Sequence, residues 1–549
     1  MAYLHKGKRK SETYLSICHN SRDETGQSRR EVLYRLGKLS DYAASALQDI
    51  GRALYALGGG DVSDFHVEAA QKGMKELGRY NYGFPLVLLS LMRHYKLDVL
   101  VRRFEKKHRL SYSLWDVLSL LLCDRWYEPL SKRGSYLTQS DYIGLEKVSL
   151  RHLYRGLDIL SSYEDAIQLH LYKHNKRLFR YQLDVVFFDV TTIYFDSQVE
   201  EEGALRQKGF SKDGKIGKTQ VVFALLIDIH KNPIGYELYS GDQYEGHTLI
   251  DAIKRLRDKY DIGSVTVVAD RGMLNQSNLA AIESHQYHYI IGERLKNLNR
   301  SAQDYLLNLG NYQKGTYSDS QGKKKPVYYC TYAYKGRTII GTYSEKRAKR
   351  DKADREERIQ KGQKLLKKQE ALSKKAARYF LKNQVGQEYV LDKAKVEKHQ
   401  RYDGFAAIAT NNPQIDTLKA IDHYRHLFQI EHVFRTFKSH LDVRPMFHWT
   451  DKRIRGHVAI CYIAFTLLNY LQQRLKENQC KLSERDIRRV LAKMEVSKVE
   501  IEKKPYYITA KKSEKTHAIL KILKVKPIPD FILSKNINKV MRWNKPDTT

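Results

Sequence analysis

Three carboxylates in this chain sit where their surroundings invite chemistry. Asp189 lies near the end of the apolar run LDVVFFDVTTIYFD, Asp270 ends SVTVVAD, and Glu431 falls inside YRHLFQIEHVFRTFKSHL, residues 424–441. In that last stretch Leu427, Ile430, Phe434, Phe437 and Leu441 recur at spacings of three and four, which predicts one amphipathic helix. Tyr424, Glu431 and Lys438 are each seven apart, so at about 100° per residue they form a second stripe on its border, and Arg435 joins them. The layout suits one metal ligand flanked by phosphate contacts. Carboxylates that converge repel and bind protons unless divalent cations neutralise them, and an all-oxygen ligand set suits Mg²⁺ or Mn²⁺. The ordinary alternatives are a solvated helix face for Glu431 and Lys438, and a turn or helix cap for each Asp. Two Asp at matching strand ends, followed by a Glu on a later helix rim, favour the site. Asp196, Asp228, Asp242 and His247 lie nearby without that combination.

The elements that must position these groups begin at Tyr181, where the texture changes. The run that delivers Asp189 is rich in β-branched and aromatic residues and reads as a strand buried on both faces. KTQVVFALLIDIHKNPIGYELYSG reads as two more strands with a turn at Lys231 to Pro233. A helix from His247 to Tyr260, the short strand ending in Asp270, the helix NQSNLAAIES and the strand YHYIIGER follow. Three antiparallel strands, a helix, a strand, a helix and a strand is the order of a ribonuclease-H-like α/β core. Its first and fourth strands lie side by side, which would make Asp189 and Asp270 neighbours.

Length and charge set the frame. At 549 residues the chain is too long for one core, and roughly three or four domains are expected. With 97 Lys+Arg against 63 Asp+Glu the formal charge is +34, which points to a polyanionic partner; nucleic acid is the default and a membrane surface the rival. The apolar run from Val458 to Leu471 is too short to cross a bilayer and reads as a buried helix. No secretory signal opens the chain, and five scattered cysteines without a C-x-x-C pair suggest neither a disulfide framework nor a zinc site. A reduced, cytoplasmic protein is expected.

Residues 1–80 read as a small module, a hairpin turning at Asp23 to Gly26 and a helix from Ser40 to Leu57, with DNA binding and bracing as its two candidate roles. Residues 81–180 are almost entirely helical. Arg125, Lys132 and Arg133 gather there around Pro129, and basic helix ends joined by a short turn suit DNA contact, although a plain helical bundle fits the same pattern. The catalytic core is assigned to 181–295 and 403–475, interrupted by an insertion, 296–402, that opens with β-like VYYCTYAYKGRTIIGTYS and continues in a charged segment from Glu345 to Lys382. That segment is a solvated helix or a further DNA contact. Residues 476–549 form a basic C-terminal region.

Taken together, Asp189-Val190-Thr191-Thr192, Ala269-Asp270-Arg271-Gly272 and the segment with Tyr424, Glu431 and Lys438 resemble a DDE transposase of a bacterial insertion sequence, in the branch with the Tyr-Arg-Glu-Lys signature. GFSKDGKIGKTQ, SGDQYEGHTL and Arg444-Pro445 also resemble the larger members of that branch. The resemblance departs at Leu427, where the signature has Arg; Arg425 and Arg435 are the candidate substitutes. It implies a DNA transposase that binds the terminal inverted repeats of its element, cleaves the ends and joins the 3′ ends to target DNA. The implied site has two Mg²⁺ or Mn²⁺ ions roughly 4 Å apart, one activating the attacking water or 3′-hydroxyl and one stabilising the leaving oxygen. Asp189 would bridge both ions, with Asp270 and Glu431 each completing one. Tyr424, Lys438, Arg435, Arg271, Arg125 and Lys132 are the expected DNA contacts. Double-stranded DNA, a homodimer in a synaptic complex and a nucleoid-associated location in the bacterial cytoplasm follow from the same likeness. The alternatives are a transposase-derived DNA-binding protein that no longer cuts and a ribonuclease-H-like nuclease without strand transfer. Some relatives carry a Trp in the insertion that serves hairpin formation; here the four Trp are Trp115, Trp126, Trp449 and Trp543, so that chemistry is not carried over.

Overall fold

A computed structural model describes residues 2–9, 12–22, 28–59, 75–179, 183–196, 198–200, 204–209, 217–273, 275–318, 324–367, 380–383, 389–444, 446–501 and 503–542. The turn expected at Asp23 to Gly26, most of GFSKDGKIGK, Pro445, Trp543 and part of the charged segment lie outside these residues.

The chain divides into two compact units. The smaller comprises residues 1–79, 497–508 and 530–536. Strands β1 (Ala2–Arg9), β2 (Glu12–Arg22) and β3 (Ser28–Lys38) form an antiparallel sheet, and helix α1 (Ala44–Leu57) follows. Strand β4 (Lys75–Asn81) edges a second sheet whose other strands, Glu495–Ile501, Lys504–Thr509 and Phe531–Leu533, come from the C-terminal region. The separate modules expected at 1–80 and 476–549 are therefore joined by strand pairing, a long-range contact that local periodicity does not encode.

The larger unit opens with six helices: α2 (Gly83–His94), α3 (Leu97–His108), α4 (Leu114–Trp126), α5 (Lys132–Thr138), α6 (Leu150–Ser162) and α7 (Glu164–Phe179). Ser113, Ser131 and Ser149 cap α4, α5 and α6 by accepting backbone N–H groups, which satisfies donors that a helix start leaves open. A ten-stranded sheet follows. Its first half comprises β5 (Val185–Tyr194), the two-residue β6 (Gln207–Lys208), β7 (Thr219–Ile227), β8 (Pro233–Ser240), helix α8 (Glu245–Asp258), β9 (Thr266–Ala269), α9 (Gln276–Ser284) and β10 (His288–Glu293). Every residue of β7 and β9 is buried, as runs of β-branched and aromatic residues require when both faces are covered.

Helix α10 (Arg300–Leu306) leads to β11 (Gln313–Ser318), β12 (Lys324–Tyr334) and β13 (Arg337–Tyr343), then helix α11 (Glu345–Lys367). A short pair, β14 (Leu381–Asn383) and β15 (Tyr389–Leu391), precedes α12 (Lys393–Gln400) and β16 (Phe405–Thr410). The sheet order is β11-β12-β13-β16-β10-β9-β5-β7-β6, with β8 also on β7. Strand β16 pairs antiparallel with both β10 and β13. The strands assigned to an insertion thus continue the central sheet.

Helices α13 (Thr417–Arg425) and α14 (Phe428–Arg435) and a π-helical turn, Thr436–His440, follow, then α15 (Asp451–Glu477) and α16 (Glu484–Ala492). Helix α15 is long and apolar enough to cross a membrane, yet 94% of its apolar window is buried in the protein against α4, α6 and α7. A Cβ at Gly456 would stand 2.2 Å from the Leu157 carbonyl oxygen; only glycine lets α15 cross α6 so closely.

Candidate active site

Strands β5 and β9 run parallel, with Phe188 opposite Ala269. The next residue on each chain is Asp189 and Asp270, so the two carboxylates stand at adjacent positions on neighbouring strands. Asp189 lies in the middle of β5 instead of near its end, because the strand runs on to Tyr194; it is half-buried, and its Oδ1 accepts the Val190 N–H at 2.7 Å. Asp270 is exposed, one residue beyond the end of β9.

The segment expected to be one helix is not continuous. After Arg425 it tightens: the Leu427 N–H bonds the Tyr424 carbonyl and the Ile430 N–H bonds the Leu427 carbonyl, three residues back. After Arg435 it loosens, and the Leu441 N–H reaches the Thr436 carbonyl, five residues back. Such changes in hydrogen-bond register break the 3.6-residue ladder. The seven-residue stripe of Tyr424, Glu431 and Lys438 therefore does not exist as one helical face. The apolar stripe persists, with Ile430, Phe434, Phe437 and Leu441 buried.

Each residue of that segment has its own position. Tyr424 ends α13, and its phenol lies beside the Asp270 carboxylate. Burial first, and the Asp270 charge second, push its pKa up to about 12. The hydroxyl passes over Gly292 on β10, where a Cβ would meet it at 2.3 Å and meet the Arg271 Cβ at 3.0 Å. Gly292 is a site residue that the sequence reading missed; a glycine interrupting an apolar strand was its only signal. Arg271, exposed, lies in the same neighbourhood. Glu431 is exposed on α14, which packs against β5. Arg435 is exposed and Lys438 half-buried on the π turn. Among the described residues no group of three or more carboxylate, imidazole or thiol side chains is placed to hold a metal ion. The donor chemistry fits a hard cation, since Asp189 and Asp270, next to each other in register, both carry carboxylate oxygens.

Arg125 and Lys132, expected as DNA contacts, are 4% and 3% exposed. Arg125 donates from Nη1 to the Leu441 and Asp442 carbonyls at 3.0 and 3.3 Å and from Nη2 to the Leu130 carbonyl at 2.6 Å. It braces the end of the segment that carries Glu431 instead of facing solvent. Arg488 supports the same end, donating to the His440 carbonyl at 2.6 Å, while Glu484 accepts from the Thr436 hydroxyl at 2.7 Å. The alternative acids are otherwise engaged. Asp228 accepts three hydrogen bonds within the β7–β8 turn, Asp196 pairs with Lys218, and Asp242 accepts from Ser240.

A groove of about 430 Å³ opens beside Tyr424, lined by Lys346, Arg347 and Arg350 of α11 and by Arg425. The Arg425 guanidinium stacks 3.8 Å from the centroid of Tyr317 on β11. The positive charge of the charged segment is thus placed next to the Asp270 and Tyr424 contact.

Residues 180–467 match the family described as the transposase DDE domain. No curated protein sequence matches the chain. A solved cryo-EM structure of a piggyBac transposase synaptic complex with hairpin DNA is similar at 9% identity and a TM-score of 0.38, over 84% of this chain and 86% of that one, a likeness too distant to carry an argument. The family match spans more than half of the 549 residues and encloses Asp189, Asp270 and Glu431, and the chain belongs to the transposase DDE domain family.

Proposed function

We propose that the chain is a DNA transposase of a bacterial insertion sequence that binds the inverted ends of its element, cuts them and joins the 3′ ends to target DNA. Asp189, Asp270 and Glu431 are its catalytic carboxylates, on a core of ribonuclease-H-like type. The observation that carries this reading is the parallel register of β5 and β9, which sets Asp189 beside Asp270 within the family match. These residues, with Glu431, would hold Mg²⁺ or Mn²⁺. Two such ions, when bound, would supply activation of the attacking oxygen and stabilisation of the leaving one.

The protein's own groups do the positioning. The Tyr424 phenol, protonated throughout the physiological range, sits beside Asp270 and would steer how that carboxylate is presented. Arg271, Arg435 and Lys438, with the basic groove of α11, offer charge to the DNA backbone on either side of the pair. Glu431, on α14 packed against β5, would supply the third carboxylate. The partners are double-stranded DNA and a second copy in a synaptic complex, in the bacterial cytoplasm.

The lack of a ready three-ligand cluster among the described residues favours one second reading, a family member that binds DNA ends without cutting. The purified chain, given DNA from the flanks of its own gene with Mg²⁺ or Mn²⁺, decides between them. Nicking and joining at inverted repeats supports the transposase; binding without nicking in either metal supports the second reading; nicking without joining marks a nuclease.

A further inference from the structure

A cavity of about 340 Å³ lies between the end of α4, the start of α5, the residues after Leu441 and the first turns of α15. Arg125, Lys132, Arg444 and Arg453 line it, and Asp442 is the one acid among its lining residues. Lys132 is buried, 3% exposed, among these cations. Asp124, whose charge it feels, accepts from Tyr142 and is pushed by burial toward its neutral form. Arg125 leaves its Nε without a partner. Two imidazoles, His448 and His457, complete the lining, and burial followed by the surrounding cations holds both in their neutral form. Buried cations are costly when nothing negative compensates them.

We propose that this cavity binds a phosphate group, at a site separate from the Asp189 and Asp270 pair. Guanidinium and ammonium donors facing one polar space match an anion with several oxygens, and Arg in particular suits phosphate geometry. The mouth is aromatic: Phe447 and Trp449 are 63% and 56% exposed, and the Arg206 guanidinium lies 4.3 Å from the Trp449 ring centroid. Exposed aromatic faces beside a basic pocket suit the sugar and base that accompany a phosphate. The Arg444 guanidinium also lies 5.3 Å from the ring centroid of Tyr194, at the end of the strand that carries Asp189. That the phosphate belongs to DNA rests on the transposase reading; that the cavity takes phosphate does not.

The experiment titrates inorganic phosphate into the full-length chain by calorimetry, against chloride at matched ionic strength. It compares wild type with Lys132→Met, which keeps length and removes charge, and Arg453→Gln, in case the first variant fails to fold. Saturable phosphate binding that either folded variant weakens by about tenfold, the scale of one lost charged hydrogen bond, supports the site. No binding beyond the chloride control, or equal binding in wild type and folded variants, overturns it. A second arm uses short oligonucleotides with and without a 5′-phosphate. A preference for the phosphorylated strand that Lys132→Met removes identifies a terminal phosphate, and equal weakening of both strands identifies a backbone phosphate. Nicking activity is scored separately, so loss of the transposase reading leaves the phosphate result standing.

Discussion

The Tyr424 hydroxyl stands beside the Asp270 carboxylate, bringing the end of α13 to the end of β9. The contact makes the presentation of one carboxylate depend on a side chain from a different element, and it exists only because Gly292 leaves room above β10.

Tyr424→Phe removes the hydroxyl beside Asp270 while keeping the ring. Nicking should fall by about tenfold, the scale of one hydrogen bond to a charged group, while the unfolding temperature stays within a few degrees of wild type. A large loss of thermal stability with normal activity per folded molecule would make the role purely structural.

Gly292→Ala should act through the same contact. Its methyl group meets the Tyr424 hydroxyl at 2.3 Å, so the phenol must move, at a cost of about 1 to 3 kcal/mol. The double variant Gly292→Ala/Tyr424→Phe should lose little more activity than either single change, because both remove one interaction. Additive losses would show that Gly292 acts elsewhere.

Asp189→Asn, Asp270→Asn and Glu431→Gln should each nearly abolish Mg²⁺-dependent nicking and leave end binding intact. Groups that act as a unit are not additive, so each change should cost about as much as all three together. EDTA should reproduce the effect on wild type. Wild-type nicking by any one variant removes that residue from the site.

Lys132 carries a pH signature. Burial, reinforced by Arg125, lowers its pKa from 10.5 to about 7 in the folded chain. Between those two values the unfolded chain binds more protons, so stability rises with pH across that window, by on the order of 4 kcal/mol for this group. Denaturant unfolding at pH 7 and pH 9 should show the rise in wild type and a smaller one in Lys132→Met. Identical slopes would mean that the ammonium is compensated in solution.

Affinity for DNA ends should fall linearly with salt on logarithmic axes, since a chain of net charge +34 that neutralises several phosphates releases their counterions. Arg347→Ala, in the groove beside Tyr424, should reduce the slope by roughly one. A flat salt response would exclude extensive backbone contact.

What the amino-acid order determined by itself was local. Continuous β-branched and aromatic runs marked β5, β7 and β9, because a strand covered on both faces needs apolar residues at every position. They also placed Asp270 at a strand end, whereas Asp189 falls in the middle of β5, and the spacing of Ile430, Phe434, Phe437 and Leu441 marked a buried face. What tertiary structure decided was non-local. The end of the π turn after α14 is held by Arg125 and Arg488, which bond the carbonyls of Leu441 and His440 from distant helices. The joining of β11–β13 to the main sheet depends on β16 pairing with β10 and β13 at once. Basic residues beside Pro129 read as a surface because charge is usually solvated; packing against α15 and the post-Leu441 segment buried Arg125 and Lys132 instead. Periodicity reports which face of an element is apolar, and it carries no information about which distant backbone group will complete a hydrogen bond.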